Sequence, residues 1–173
     1  MRKILAINSI SFKKRMIELL FDYLFILAYL ALLFLCSMLF YIIFFNGIPE
    51  FTEIQSQCLV FFTSVLPITL LFTFLDYTKN GSFGKAKAGL QLVYKKKTVQ
   101  SSLIRNAIKF LPWKIGHMSA IHSVYSGFDL LYFILCYTSI LFLVVLLAMS
   151  IFRKDKRHLG DLLAHTQLQL KGE

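Results

Sequence analysis

A charged run, Lys13-Lys14-Arg15-Met16-Ile17-Glu18-Leu19-Leu20-Phe21-Asp22, passes directly into Tyr23–Phe45, 23 residues with neither a charge nor a proline. As a helix at ~1.5 Å per residue, the uncharged part is ~34 Å long, enough to cross a hydrocarbon core of ~30 Å. Arg15 and Asp22 are seven apart and fall on one helix face, two turns from each other, with Glu18 between them on that face. Ionisable groups where a helix enters lipid are costly unless they turn toward protein or water. A later part of the chain is therefore expected to meet them.

Other apolar blocks repeat the pattern. Cys58–Leu75 is uncharged over 18 residues and carries Pro67 near its middle, where a helix must bend and free a carbonyl. Leu130–Phe152 is uncharged over 23 residues. With 57% hydrophobic residues arranged in blocks, the chain reads as one all-α membrane domain rather than a soluble one. The formal charge of +10 lies beside these blocks, which suits a bilayer with an anionic inner leaflet and argues against nucleic acid as a partner. Met1-Arg2-Lys3 begins a basic tail, residues 1–14, expected on the membrane surface; the following apolar stretch is too short and broken for a cleaved signal peptide.

Counting charge sets an expected topology. The loop after Asn46-Gly47-Ile48-Pro49 holds Glu50 and Glu53 but no Lys or Arg, and reads as outside. Asp76–Thr98 holds six lysines and reads as inside, as do both chain ends. Two inside ends require an even number of crossings. The missing one is expected between Ser102 and Asp129, in a poorly hydrophobic helix carrying Arg105, Lys109, Lys114, His117 and His122. A basic amphipathic helix lying flat at the interface is the alternative, with the carboxyl end then outside. The favoured reading is a four-helix transmembrane bundle with spans at about 16–45, 56–76, 103–123 and 129–152. A small cytoplasmic cap completes it: Leu90–Val93 enters a short hairpin with Lys95–Lys97 at its tip, and Gln167–Leu170, with its period-two pattern, adds a strand beside Leu90–Val93.

Enzyme signatures are missing: there is no His-Glu-x-x-His and no Gly-x-Ser-x-Gly, and Gly160-Asp161 alone is a thin echo of a membrane aspartyl protease. Gly84-Lys85 lacks the spacing of a phosphate loop. Cys36, Cys58 and Cys136 lie in apolar blocks without metal spacing, and His117 and His122 are five apart, so no metal and no cofactor is expected. Asp161 after Gly160 reads either as a helix N-cap or as a functional carboxylate. Glu18 reads as a third partner of Arg15 and Asp22, or as a headgroup-facing residue.

Four segments together resemble the RDD family, small bacterial membrane proteins named for one Arg and two Asp. They are Lys14-Arg15-Met16 with Asp22; Ser82-Phe83-Gly84-Lys85 through Gly89-Leu90-Gln91-Leu92-Val93; Ile104-Arg105-Asn106; and Leu159-Gly160-Asp161 through Thr166. They occur in the family's order over roughly residues 12–170. The resemblance implies Arg15, Asp22 and Asp161 as the naming residues and a bacterial cytoplasmic membrane. It also implies transport of a cation, proton or small solute through a polar site of Arg15, Asp22 and Asp161, with Glu18 and Arg105 as further candidates. His165 departs from the family's usual Gly, and Leu20-Phe21 is a bulkier approach to Asp22. The competing expectation is a non-catalytic regulator or scaffold that binds another membrane protein. Transport by so small a bundle would call for a homo-oligomer or a membrane-protein partner.

Overall fold

The computed structural model describes residue 4 and residues 7–172. The basic start, Met1–Lys3, lies outside the described residues. Helix α1, Phe12–Phe45, opens on Ser11, whose side chain accepts from the Lys14 N–H, and closes on Asn46 in the left-handed region. Helix α2, Glu53–Val60, begins with a capping box between Thr52 and Gln55. A π turn, Phe61–Val65, joins it to α3, Leu66–Lys79. Pro67 explains the turn. Proline supplies no N–H to the carbonyl four residues back, at Thr63, and the backbone widens just before it. The Tyr29 hydroxyl of α1 donates to that Thr63 carbonyl at 2.5 Å. Along the same broken helix Thr63, Ser64, Thr69, Thr73 and Thr78 each return a hydroxyl to the carbonyl four residues earlier, so no hydroxyl of this series is left bare in an apolar setting.

After the short helix α4, Phe83–Lys87, come strand β1, Leu90–Tyr94, and helix α5, Val99–Ser126. Helix α6, Leu130–Phe152, is followed by α7, Leu159–Leu163, and strand β2, Thr166–Leu170. Helices α5 and α6 form an antiparallel hairpin in constant register. His122 meets Asp129, Ser119 donates to the Tyr132 carbonyl, and Ser139 donates to the Pro112 carbonyl. Among the described residues, three helices are long and apolar enough to cross a membrane: α1, the broken helix Glu53–Lys79, and α6.

The cap corrects two expectations. Strands β1 and β2 pair antiparallel from Leu90↔Leu170 to Tyr94↔Thr166, so the predicted long-range strand pair forms. The hairpin does not. Lys95–Lys97 leads instead into α5, because Thr98 caps that helix by accepting from the Ser101 N–H at 3.1 Å. The expected surface tail ahead of α1 is exposed only in part over its described residues: Ile7 and Ser9 are open, Asn8 and Ile10 are buried. Asn8 donates to the Leu168 carbonyl, and Ile10 is packed with Ala88, Leu90 and Leu168 in the cap's own apolar core. A second core, Ile68, Phe72 and Phe110, joins α3 to α5, with Phe25, Ile26, Tyr29 and Trp113 against it. Helix α1 joins the bundle through its first half: Arg15, Glu18 and Asp22 are its buried residues, Phe25, Ile26 and Tyr29 pack on the second core, and most of the apolar residues beyond are exposed.

Candidate functional site

Four cations and four carboxylates assemble where α1, α3 and α5 meet the cap. Asp76, at the end of α3, is the hub. One oxygen accepts from Lys85 Nζ at 3.0 Å, and the other accepts from Arg105 at 2.7 Å and from Asn106 at 3.0 Å. Arg105 reaches onward to Asp161 at 2.6 Å, and Thr166 donates to the same Asp161 oxygen at 2.9 Å. Arg15 pairs with Glu18 at 2.9 Å, and Lys85 lies 3.9 Å from Glu18. Lys109 pairs with Asp22 at 3.0 Å and spreads its charge over the rings of Phe72 and Phe110. All but Lys109 are buried, and Asp76, Lys85 and Asp161 have no exposed surface. Charges removed from water to this degree persist only when matched and hydrogen-bonded, and here the numbers of each sign are equal.

Local backbone explains how they come together. Gly84 donates its N–H to Asp22 at 3.0 Å. A Cβ on that residue would lie 2.2 Å from the Glu18 carbonyl oxygen and 2.6 Å from Asp22 Oδ1, so only glycine lets α4 press against α1. The contact seats Lys85 beside Asp76. At the other end His158 caps α7, its Nδ1 accepting from the Gly160 N–H at 3.0 Å. This corrects the N-cap reading of Asp161, whose carboxylate lies inward on Arg105. His165 adopts φ 51°, a left-handed conformation that favours glycine.

The sequence candidates are therefore distributed as follows. Arg15, Glu18, Asp22, Arg105 and Asp161 all belong to this buried region, but the expected Arg15–Asp22 pair does not form. Arg15 takes Glu18, one turn away, and donates to the Lys156 carbonyl at 2.6 Å, while Asp22 takes Lys109. Asp76, Lys85, Lys109, Asn106 and His158 were not among the candidates. Asp76 had a signal: it is the first charge after an uncharged span, as Asp22 is the last before one. Lys109 had another, at i+4 from Arg105. Of the polar groups placed in the third predicted span, His122 lies between Glu53, at 2.8 Å, and Asp129, at 3.1 Å, and Lys114 lies over the Phe61 ring.

Outside the spans, the surroundings of the polar region move His158, Asp161 and Lys85 in particular. Burial, reinforced by Arg105 and Arg15, pushes the His158 imidazole down to about 3 despite the neighbouring Asp161. Burial works against ionisation of Asp161, but Arg105 prevails and holds its carboxyl well below the usual range. Burial also lowers the Lys85 ammonium against the pull of Asp76. His158 has a testable consequence. An unfolded histidine takes a proton below about 6.5, whereas the folded one resists until about 3, so unfolding takes up a proton between those values. Stability then falls as pH drops from 6.5, by about 1.4 kcal/mol per pH unit at most. His158→Asn keeps a capping acceptor without the titration. Thermal unfolding in detergent from pH 7 to pH 4.5 is expected to be flatter for this variant than for wild type; equal slopes would exclude His158 as the cause.

A cavity of about 560 Å³ lies between α1, α5 and α6. Arg15, Glu18, Asp22, Arg105, Lys109 and His158 line it at the charged end. Further along, the walls are Ile26, Leu27, Leu30, Trp113, Leu143 and Leu146. Its volume is in the ~300–1,000 Å³ range of small-molecule sites. No curated protein and no solved structure matches the chain. The sequence model of the RDD family matches residues 10–165, and the chain, a membrane protein by its apolar helices, belongs to that family.

Proposed function

We propose that this protein carries a small charged solute across a bacterial cytoplasmic membrane, and that the cavity between α1, α5 and α6 is where the solute binds. The observation carrying the reading is that the cavity's charged end is lined by members of the ion-pair network, Arg15, Glu18, Asp22, Arg105 and Lys109. Ionisable groups at membrane depth that border an open space are expected on a solute pathway. The paired state of the carboxylates favours a solute that exchanges with a neighbouring ion pair over a bare cation, which would have to displace a lysine or arginine from each. Lys109, the most exposed cation of the set, is the natural group to release.

In this reading α5 is a fourth crossing and both chain ends are cytoplasmic. The 28-residue helix is ~42 Å long and keeps one register with α6, so the two are expected to traverse together. The charge distribution agrees. The end carrying Glu53 and Asp129 has no Lys or Arg in residues 46–60 or 115–133, and the opposite end is rich in both. A tag at the carboxyl end is expected to resist external protease in intact cells; cleavage would remove the fourth crossing. For transport, the purified protein is reconstituted in vesicles, and internal pH, Na⁺ and a panel of small anions and amines are followed. Wild type is expected to exceed empty vesicles for at least one solute. Asp22→Asn is expected to cut that flux about tenfold or more, because the amide removes the carboxylate whose pairing the solute exchanges with, and losing a charged contact is worth at least the ~1.4 kcal/mol that a factor of ten represents. Should wild type match empty vesicles throughout while one membrane protein copurifies stoichiometrically, the regulator reading replaces this one.

A further inference from the structure

The cavity is asymmetric in a way that defines a class of ligand. At its charged end Arg15 and Lys109 face Glu18 and Asp22, while Arg105, also in the lining, is paired with Asp76 and Asp161. Both carboxylates are engaged, Glu18 by Arg15 and Asp22 by Lys109 and the Gly84 N–H. The cations are not used up. Arg15 gives one terminal nitrogen to Glu18 and the other to the Lys156 carbonyl, and its Nε, buried, has no hydrogen-bond partner among the described residues. Arg15 is only 5% exposed, and the side chain lines the cavity. Lys109 spends one contact on Asp22 and otherwise lies over aromatic rings. The donor left unused at this end is Arg15 Nε, with Lys109 the most exposed cation beside it.

Beyond that end the walls are aliphatic and aromatic, from Ile26 and Leu30 on α1 to Leu143 and Leu146 on α6, with Trp113 between them. The cavity lies between α1 and the α5–α6 hairpin, and α1 is fully buried only at Arg15, Glu18 and Asp22, with Phe25, Ile26 and Tyr29 packed on the α3–α5 core. An occupant therefore has a sideways route from the bilayer between α1 and α6. Basic pockets between membrane helices on the positively charged side suit anionic lipid headgroups.

We infer that the cavity binds an acylated phosphate, with the phosphate at Arg15 and Lys109 and an acyl chain along Leu30, Trp113 and Leu143. This assignment rests on the reading of the cavity as the chain's binding site and names its ligand class. The unused Arg15 Nε beside Lys109 selects an anionic head over a zwitterionic one, and the apolar walls select an acyl chain over a free phosphate.

Trp113 is the chain's single tryptophan, so intrinsic fluorescence reports on the cavity directly. The full chain is reconstituted in phosphatidylcholine vesicles doped with a minor fraction of lipid brominated in its acyl chain. Brominated phosphatidate and brominated lysophosphatidate are each compared with brominated phosphatidylcholine, which measures ordinary contact with bulk lipid. Quenching by an acylated phosphate is expected at roughly fivefold lower dopant than by phosphatidylcholine, the preference one cationic contact supplies. Preference for phosphatidate assigns a two-chain membrane lipid, and preference for lysophosphatidate alone a single-chain one; either supports the inference. Equal quenching by all three overturns it.

Two variants guard against a folding artefact. Arg15→Gln with Glu18→Gln removes the cation and its partner together and is expected to abolish the preference. Leu143→Phe fills the apolar part, touches no ion pair, and is expected to weaken quenching by the anionic lipids toward the bulk level. If both variants retain the full preference, the lipid binds elsewhere and the inference fails. A clear preference without any solute flux leaves this binding site standing and removes the transport reading. Solute flux without a preference does the reverse.

Discussion

Asp76→Asn is expected to be the most damaging single substitution in the polar region, lowering the amount of folded protein recovered in detergent several-fold. Asp76 is fully buried and answers two buried cations, Lys85 at 3.0 Å and Arg105 at 2.7 Å. The amide keeps the shape but not the charge, leaving four cations against three carboxylates in a region closed to water. Breaking a buried pair by removing one partner costs ~3–5 kcal/mol, a large share of the ~5–15 kcal/mol that holds a typical domain together. Charge balance, rather than loss of one hydrogen bond, is the cause proposed, and a second substitution separates the two. Asp76→Asn with Lys85→Gln returns the count to three against three. The double variant is expected to be more stable than Asp76→Asn alone, as judged by thermal unfolding in detergent. If the two effects simply add, the charge argument is wrong.

Gly84→Ala tests the seating of the cap. The added methyl would fall 2.2 Å from a backbone oxygen of α1 and 2.9 Å from the backbone nitrogen of Asp22. Neither can swing aside as a side chain would. Overpacking in a filled interior costs ~1–3 kcal/mol and sometimes more. Here the only relief is to lift α4 off α1, which withdraws the Gly84 N–H from Asp22 and carries Lys85 away from Asp76. The expected result is a loss of ~3 kcal/mol or more, with early protease cutting in the loop from Asn80 to Gly89. Gly89→Ala is a useful contrast: it has open space around its Cβ position and strain only from its φ of 67°. A Gly84→Ala protein as stable as wild type and no more easily cut would show that α4 does not depend on this contact.

These two residues also illustrate how far the chain could be read without coordinates. Gly84-Lys85 is visible as a motif, and its spacing is not that of a phosphate loop. Its actual purpose, a backbone approach to α1 62 residues earlier, leaves no periodicity or composition to detect. Asp76 closed an apolar block and was treated as a boundary, because a carboxylate at a helix end is ordinarily solvated. Its burial depends on Lys85, Arg105 and Asn106 arriving from two other elements. Arg15 and Asp22 were placed correctly on one helix face, yet a seven-residue separation is two turns of rise. Glu18 lies a single turn from Arg15, and Lys109 approaches Asp22 from α5, so the shared face did not become a shared ion pair.

What the sequence determined by itself follows from local physics. Uncharged runs long enough for a bilayer, a proline that breaks the second apolar helix, and the alternation of Gln167–Leu170 each depend on near neighbours along the chain. The pairing of charges, the cap's docking on α1, and the cavity with an unspent arginine were decided only by tertiary structure. An ion chooses its partner by distance in space and by how completely water is excluded, and neither quantity is written in the spacing of residues.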